Sequence, residues 1–290
     1  MEKIRSNPTV KLLAKVAVTG VAIWFITQKL DFAAIGDAFR RAELIWIVPA
    51  LLLFVLSKLL GAYRLQIFWR VIGVRLSDAY NLRLYWLGMF YNFFLPGGIG
   101  GDGYKVYLLR KTQDTPVKSL VTTVLLDRVS GLAVLVLLAL AVSVAVELPY
   151  GLHRWAWALI PVGLGLHALG LRLVFPRHLP TLLPALLWSL GVQGGQAIAA
   201  ACLCAGLGVE SGFAGYVFIF LLSSIVLVVP LPSLGGLGLR EAVILLGANE
   251  LGLDPAVSVS MSLLFYLISA LASAGGLYYH LRPAALGPPF

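Results

Sequence analysis

The stretch SLVTTVLLDRVSGLAVLVLLALAVSVAVE, residues 119–147, is one of the long apolar segments of this chain. From Val129 to Val146 it carries no charged residue. A helix needs about 20 mainly apolar residues to cross the hydrocarbon core of a bilayer, and this stretch is long enough. Comparable apolar stretches recur along the sequence, without the sustained alternation that is typical of a membrane barrel. The sequence therefore predicts an all-α polytopic membrane protein.

The composition supports a bundle of helices in lipid. Hydrophobic residues make up 60% of the chain and charged residues 12%, whereas a soluble domain typically holds about 25% charged residues. The formal net charge is +9, but the basic residues cluster between the apolar stretches, as the positive-inside rule expects. The charge therefore indicates a membrane orientation and does not favour nucleic acid as a partner.

We predict one integral membrane domain, residues 1–290, with about six full transmembrane helices. The full helices are expected at residues 10–28, 44–62, 119–147, 155–175, 181–206 and 256–280. A basic amphipathic segment with Arg64, Arg70 and Arg75 is expected to follow the second helix on the cytoplasmic side. The basic residues place both termini in the cytoplasm, with the protein in the cell membrane.

Two further units are expected to be re-entrant hairpins, each with two short helices around a break rich in glycine and proline. The short helices are expected at 84–95 and 104–109, and at 213–229 and 239–246. Irregular backbone is tolerated at membrane depth only inside protein or beside water. The basic residues fall mainly on the cytoplasmic side only if each hairpin returns to the side from which it enters. The first hairpin then enters from the cytoplasm and the second from outside, so the two have opposite orientations. This arrangement is typical of the inverted repeat of a transporter, whose substrate site lies near the midplane.

A weak internal match supports the inverted repeat. Pro96 and Gly100 match Pro232 and Gly236 at one common offset. Between the two units, the small residues Gly191, Gly195 and Ala199 share one helix face, which predicts close packing of two helices. Gln193 and Gln196 lie beside them, and we expect these side chains to make hydrogen bonds between helices.

Charged residues in or beside the hairpins are candidates for binding, because an ionisable group at membrane depth is costly unless it is paired or hydrated. They are Lys105, Arg128, Arg240, Asp102, Asp127 and Glu241. We expect the basic residues to hold a phosphate, since guanidinium groups match its oxygens. The acids would set the arginine geometry or contact a cationic headgroup. The alternative is structural, with the acids and arginines in buried pairs that clamp the fold.

The glycines of the breaks are candidates for the same site. They are Gly97, Gly98, Gly100, Gly101, Gly235, Gly236 and Gly238. A helix start presents backbone N–H groups and a partly positive end, both suited to an anion. Glycine would let a headgroup approach the backbone closely.

No cofactor, metal site or catalytic residue is predicted. Residues 98–103 satisfy G-x-G-x-x-G, but no strand precedes them, and Tyr104 occupies the lysine position of a Walker A loop. The histidines are scattered, and Cys202 and Cys204 lie in an apolar run without a nearby ligand. The sequence therefore shows no recognisable nucleotide-binding or metal-binding motif.

Three blocks of sequence carry a family resemblance. They are NFFLPGGIGGDGYK at 92–105, LDRVSGL at 126–132 and PLPSLGGLGLRE at 230–241. In this order they resemble the flippase-like membrane domain of the lysylphosphatidylglycerol synthase family. In two-part members such as the multiple-peptide-resistance factor, this domain is associated with moving aminoacylated phosphatidylglycerol between leaflets. A soluble aminoacyltransferase domain follows in those members.

The resemblance implies a flippase-like transporter rather than an enzyme. This chain ends at Phe290, so we expect no aminoacyltransferase domain and no synthase activity. The expected cargo is a phosphate-bearing lipid with an anionic headgroup: a phospholipid, an aminoacyl-phospholipid or a lipid-linked precursor. The alternatives are a membrane enzyme acting on a lipid phosphate, which the lack of a clear nucleophile–base pair disfavours, and a scaffold for a lipid-modifying partner enzyme. Other copies of this chain, in a homo-oligomer, are a further candidate partner.

Overall fold

The computed structural model describes residues 42–95, 98–228, 236 and 238–289, with isolated positions 33, 37 and 40. These residues form ten α-helices and no strand. The helices are α1 Leu44–Val71, α2 Asp78–Phe94, α3 Gly100–Thr112, α4 Val117–Ser143, α5 Ala156–Val174, α6 Leu182–Gly206, α7 Phe213–Val226, α8 Leu239–Glu250, α9 Pro255–Ala274 and α10 Gly276–Leu281. Three 3₁₀ turns, Pro149–Trp155, Pro176–Thr181 and Pro283–Leu286, join or follow them.

Within the described residues, five helical segments are long and apolar enough to cross a membrane. They are Leu44–Val71, Val117–Ser143, His153–Val174, Pro176–Gly206 and Pro255–Leu281. Their outer faces expose large apolar side chains, such as Trp157 and Leu173 on α5 at 72% and 71%. A continuous apolar exterior of this kind is suited to lipid. The prediction of an all-α polytopic membrane protein is confirmed, and the predicted span at 10–28 lies outside the described residues.

Helix α1 is longer than the predicted span of 44–62. The predicted position of Arg64 and Arg70, in a segment after the helix, is therefore wrong. Arg64 and Arg70 belong to the helix rather than to a following segment, because the helix continues to Val71. Leu65, Phe68 and Trp69 are buried along this last part. The helix ends where Gly73 adopts a φ of 81°, a left-handed conformation that commonly terminates helices.

Helices α1 and α6 pack side by side and run antiparallel. The Glu43 N–H donates to the Gly206 carbonyl at 2.9 Å near one end, and Arg64 Nη1 donates to Ser189 Oγ at 2.9 Å toward the other. A Cβ added to Gly195 would lie 3.6 Å from the Leu53 carbonyl oxygen. The predicted close packing of the small-residue face is confirmed.

Helices α1–α4 and α6–α9 pack in the same pattern. Within each set the first helix contacts the second and fourth, the second contacts the third, and the third contacts the fourth. Between the sets, α1 contacts α6, α4 contacts α7, and α2 contacts α9. If α1–α4 are exchanged in order with α6–α9, the α4–α7 contact becomes the α2–α9 contact, and the α1–α6 contact is unchanged. The short helices α2, α3, α7 and α8 have 17, 13, 14 and 12 residues.

Candidate functional site

A polar cavity of about 310 Å³ lies among the two sets of helices. It is lined by residues of α1, α2, α3, α4, α6, α8 and α9: Phe54, Lys58, Arg64, Tyr85, Met89, Asn92, Phe93, Asp102, Lys105, Asp127, Arg128, Gln196, Arg240, Phe265, Ser269 and Ser273. Five of the six charged residues predicted from the sequence line it, and Glu241 does not. Charged groups inside an apolar bundle are costly unless they are paired or hydrated.

Asp102 lies between two of the basic residues. Its Oδ2 accepts from Arg128 Nε at 2.6 Å, and its Oδ1 accepts from Lys105 Nζ at 3.0 Å. Arg128 Nη2 also donates to the Gly98 carbonyl at 2.7 Å. The network joins the start of α3 to the middle of α4, so Asp102 sets the geometry of Arg128.

Asp127 pairs with Arg64, which the sequence did not indicate as a site residue. Arg64 Nε and Nη2 donate to the two carboxylate oxygens at 2.7 and 3.0 Å, and the two side chains are 7% and 13% exposed. This two-point geometry is the strong form of an arginine–carboxylate bond. The pair allows Arg64 to be buried within helix α1, a few residues after the apolar Leu59 and Leu60.

Lys58 and Arg240 form no ion pair with any described residue, although both line the cavity. Lys58 Nζ lies 4.4 Å from the centre of the Phe54 ring. Arg240 Cζ lies 5.0 Å from the centre of the Phe265 ring, and its Nε is buried without a hydrogen-bond partner among the described residues. Aromatic faces attract cations but leave their N–H donors free for an acceptor.

Glu241 does not pair with the neighbouring Arg240. Its Oε2 accepts from the Gly238 N–H at 2.6 Å, and its Oε1 accepts from Ser262 Oγ at 2.7 Å. An acid three residues after a helix start satisfies a free backbone donor and complements the positive helix end. The expectation that Glu241 sets arginine geometry is therefore wrong.

Backbone groups of several break glycines make hydrogen bonds within the protein. The Gly101 N–H donates to Asn92 Oδ1 at 2.8 Å, and the Gly236 carbonyl accepts from the Arg240 N–H at 3.0 Å. Gly98 and Gly236 have φ values of 65° and 88°. Gly100 is the first residue of α3, whereas Gly236 precedes α8. Gly97 and Gly235 lie outside the described residues. The role in binding predicted for the glycines of the breaks stays a prediction.

Lys58 and Arg64 are the two charged residues of the described cavity lining that were not assigned to the site from the sequence. Lys58 is the one charged residue in the predicted span 44–62, which is a usable signal because intramembrane charges are rarely without a role. Arg64 was misplaced because the predicted helix ended two residues before it. Gln193 Nε2 donates to the Gly131 carbonyl at 3.5 Å, as expected between helices, while Gln196 lines the cavity.

An apolar groove of about 430 Å³ lies beside the polar cavity, between α3 and α4. Its wall contains Ile99, Gly103, Val106, Val121, Val124, Leu125, Val129, Leu132 and Val228. Asp102 and Arg128 line both the groove and the polar cavity. A molecule that occupied both would place a polar end at the cations and an apolar end in the groove.

The fold and the site together define a polytopic helical membrane protein with a basic cavity inside its bundle. In the part of the chain that the structure describes, no group of three or more His, Cys, Asp and Glu side chains could hold a metal ion. Residues 12–180 match the family model described as the lysylphosphatidylglycerol synthase TM region, so the chain belongs to this family. Membership links it to lipid modification or flipping. A search of curated proteins found no match.

The matched region contains two of the three sequence blocks that carry the resemblance, at 92–105 and 126–132. The third block, at 230–241, lies beyond it. The matched region thus includes the Asp102–Arg128 network and the Arg64–Asp127 pair, whereas Arg240 follows outside it.

Proposed function

We propose that this protein moves a phosphate-bearing lipid between membrane leaflets without changing it chemically. The observation that carries the proposal is the basic cavity inside an apolar bundle, with an apolar groove beside it that shares Asp102 and Arg128. A headgroup that crosses the core unaided must lose the water bound to its phosphate, which is costly. The cavity would replace that water with charged hydrogen-bond donors.

The groove between α3 and α4 supplies the second half of the proposal. Apart from Asp102 and Arg128, the residues that line it are apolar or glycine. A hydrocarbon chain could stay in this apolar groove while its phosphate enters the cavity past Arg128. The cargo would then remain partly in a lipid-like environment throughout the movement.

The paired helix sets support alternating access from the two leaflets. We propose that α2–α3 and α7–α8 are re-entrant hairpins of opposite orientation within an inverted repeat. A helix of 13 residues, such as α3, is about 20 Å long and is too short to cross the core, which is about 30 Å thick. Transporters with this architecture bind substrate near the midplane, between the repeats. The charge bias along the sequence supports cytoplasmic termini and a place in the cell membrane.

A transporter fits the cavity better than an enzyme does. The polar lining holds arginine, lysine, aspartate, asparagine, glutamine, serine and tyrosine side chains, and among the described residues no histidine lines it. General acid–base catalysis most often uses histidine, and no serine of the lining is hydrogen-bonded to a base in the described contacts. We therefore propose binding and release as the whole cycle.

The experiment is reconstitution of the purified full chain into liposomes that contain fluorescent phospholipid and polyprenyl phosphate analogues. Two readouts are needed, the fraction of probe accessible in the outer leaflet and the mass of the recovered lipid. We expect faster exchange between leaflets at unchanged mass, and loss of that exchange in Arg240→Gln but not in Lys111→Gln, which alters an exposed residue. A mass change would show an enzyme, and no exchange with any probe by folded protein would favour a scaffold.

A further inference from the structure

The charge of the polar cavity is unbalanced. Its described lining contains five basic residues and two carboxylates, which leaves three positive charges in excess when all are ionised. The two carboxylates are already engaged, Asp127 by Arg64 and Asp102 by both Lys105 and Arg128. Lys58 and Arg240 are the basic residues without a carboxylate partner in the described lining.

Lys58 and Arg240 lie on two aromatic rings that contact each other. Phe54 lies beneath Lys58 and Phe265 beneath Arg240, and the two ring centres are 5.5 Å apart in an edge-to-face arrangement. Both residues also line a second polar cavity of about 260 Å³ on the side of α4 and α7. The two cations thus line both polar cavities in common, Lys58 from α1 and Arg240 from α8.

We propose that this cavity selects a lipid that ends in a phosphate monoester or a diphosphate, and that Lys58 and Arg240 bind the terminal phosphate. The inference rests on the proposed function, of which it names the substrate class. An aromatic ring stabilises each cation without supplying a competing anion. The buried Arg240 Nε has no acceptor among the described residues, and a phosphate oxygen would supply one.

The number of charges distinguishes this class from the diesters. A phosphate monoester carries about −1.5 to −2 charges at neutral pH, whereas the phosphodiester of phosphatidylglycerol carries a single negative charge. Only the monoester or diphosphate neutralises both Lys58 and Arg240. An aminoacylated phosphatidylglycerol would add an ammonium group to a site that already has excess positive charge, and both carboxylates are occupied. Like charges at such a site disfavour binding.

The test is a direct binding measurement with the purified full chain in detergent. Its probes are a polyprenyl monophosphate, phosphatidic acid, phosphatidylglycerol and lysylphosphatidylglycerol, with phosphatidylcholine as the reference. We expect both monoesters to bind at least about tenfold more tightly than phosphatidylglycerol, and lysylphosphatidylglycerol to bind more weakly still. The two monoesters distinguish an isoprenoid from a diacyl source. Similar affinities for monoesters and phosphatidylglycerol in the unaltered protein would overturn the proposal.

Variants assign the preference to the two residues. Lys58→Gln and Arg240→Gln should each reduce the ratio of monoester to diester affinity, while Lys111→Gln should preserve it. An unchanged ratio in both folded variants would overturn the role of this pair. If phosphatidylglycerol bound as tightly as a monoester and liposomes still showed exchange, the inference would fail and the proposed transport would stand.

Discussion

Arg64 and Asp127 form a two-point ion pair, with Nε–Oδ1 and Nη2–Oδ2 distances of 2.7 and 3.0 Å, that joins α1 to α4. Both side chains are largely buried. Arg64 also donates to Ser189 on α6 at 2.9 Å. The pair therefore links three long helices at the wall of the cavity and fixes its shape.

Removal of one partner of this pair should destabilise the protein. We expect Asp127→Leu or Arg64→Met to cost about 3–5 kcal/mol, because a buried charge is left unpaired. The double variant should cost less than the sum of the two, since it leaves neither charge. Thermal unfolding in detergent measures the effect. Arg110→Ala, which breaks the exposed pair with Asp114, is the control and should leave stability unchanged.

Arg240 should be more important for transport than for stability. It makes no ion pair within the described chain, so Arg240→Gln removes a charged donor without leaving an orphaned acid. We expect transport to fall at least about tenfold, as the loss of a hydrogen bond to a charged group costs about 1.5–3 kcal/mol. Exchange in liposomes and the amount of folded protein are measured together. Full exchange in the variant would refute the role, and failure to accumulate would show that Arg240 is structural.

Gly101 should be intolerant of any side chain. A Cβ at this position would overlap the Gly88 carbonyl of α2, whereas one at Gly103, on the same helix, meets no atom within 4 Å. We expect Gly101→Ala to destabilise by about 1–3 kcal/mol through overpacking. Gly103→Ala should be neutral or slightly stabilising, because alanine favours helix. Equal melting temperatures for the two variants would contradict close contact between α2 and α3.

The proposed orientation predicts which exposed residues can be labelled from outside the cell. In a parent with Cys202 and Cys204 replaced, a cysteine at Ser211, between α6 and α7, should react with an impermeant reagent on intact cells. A cysteine at Lys111, at the end of α3, should react only after permeabilisation. Labelling of Lys111→Cys from outside would show that the α2–α3 hairpin does not return to the cytoplasmic side.

The helices were predictable from the sequence because hydrophobic length depends on local composition. The spans 119–147 and 181–206 correspond closely to α4 and α6, and the small residues of α6 mark its packing face. The end of α1 was not predictable in this way. Tyr63 and Arg64 have the composition of a helix boundary. The buried arginine is stabilised by partners from other helices, Asp127 of α4 and Ser189 of α6.

The candidate site was predictable as a set of residues but not as a set of pairs. Intramembrane charge identified Asp102, Lys105, Asp127, Arg128 and Arg240 as residues of one region. The sequence suggested buried pairs of acids and arginines without naming the partners; Asp127 pairs with Arg64, and Glu241 accepts from the Gly238 N–H. Side chains that follow one another on a helix point in different directions. Their partners depend on tertiary packing.

A structure of the protein in lipid nanodiscs with saturating polyprenyl monophosphate would show directly whether the polar cavity binds a lipid phosphate. We expect density for a phosphate within hydrogen-bond distance of Lys58 and Arg240, and density for a hydrocarbon chain in the groove between α3 and α4. Bound lipid confined to the outer faces, with the cavity holding only water, would contradict this expectation.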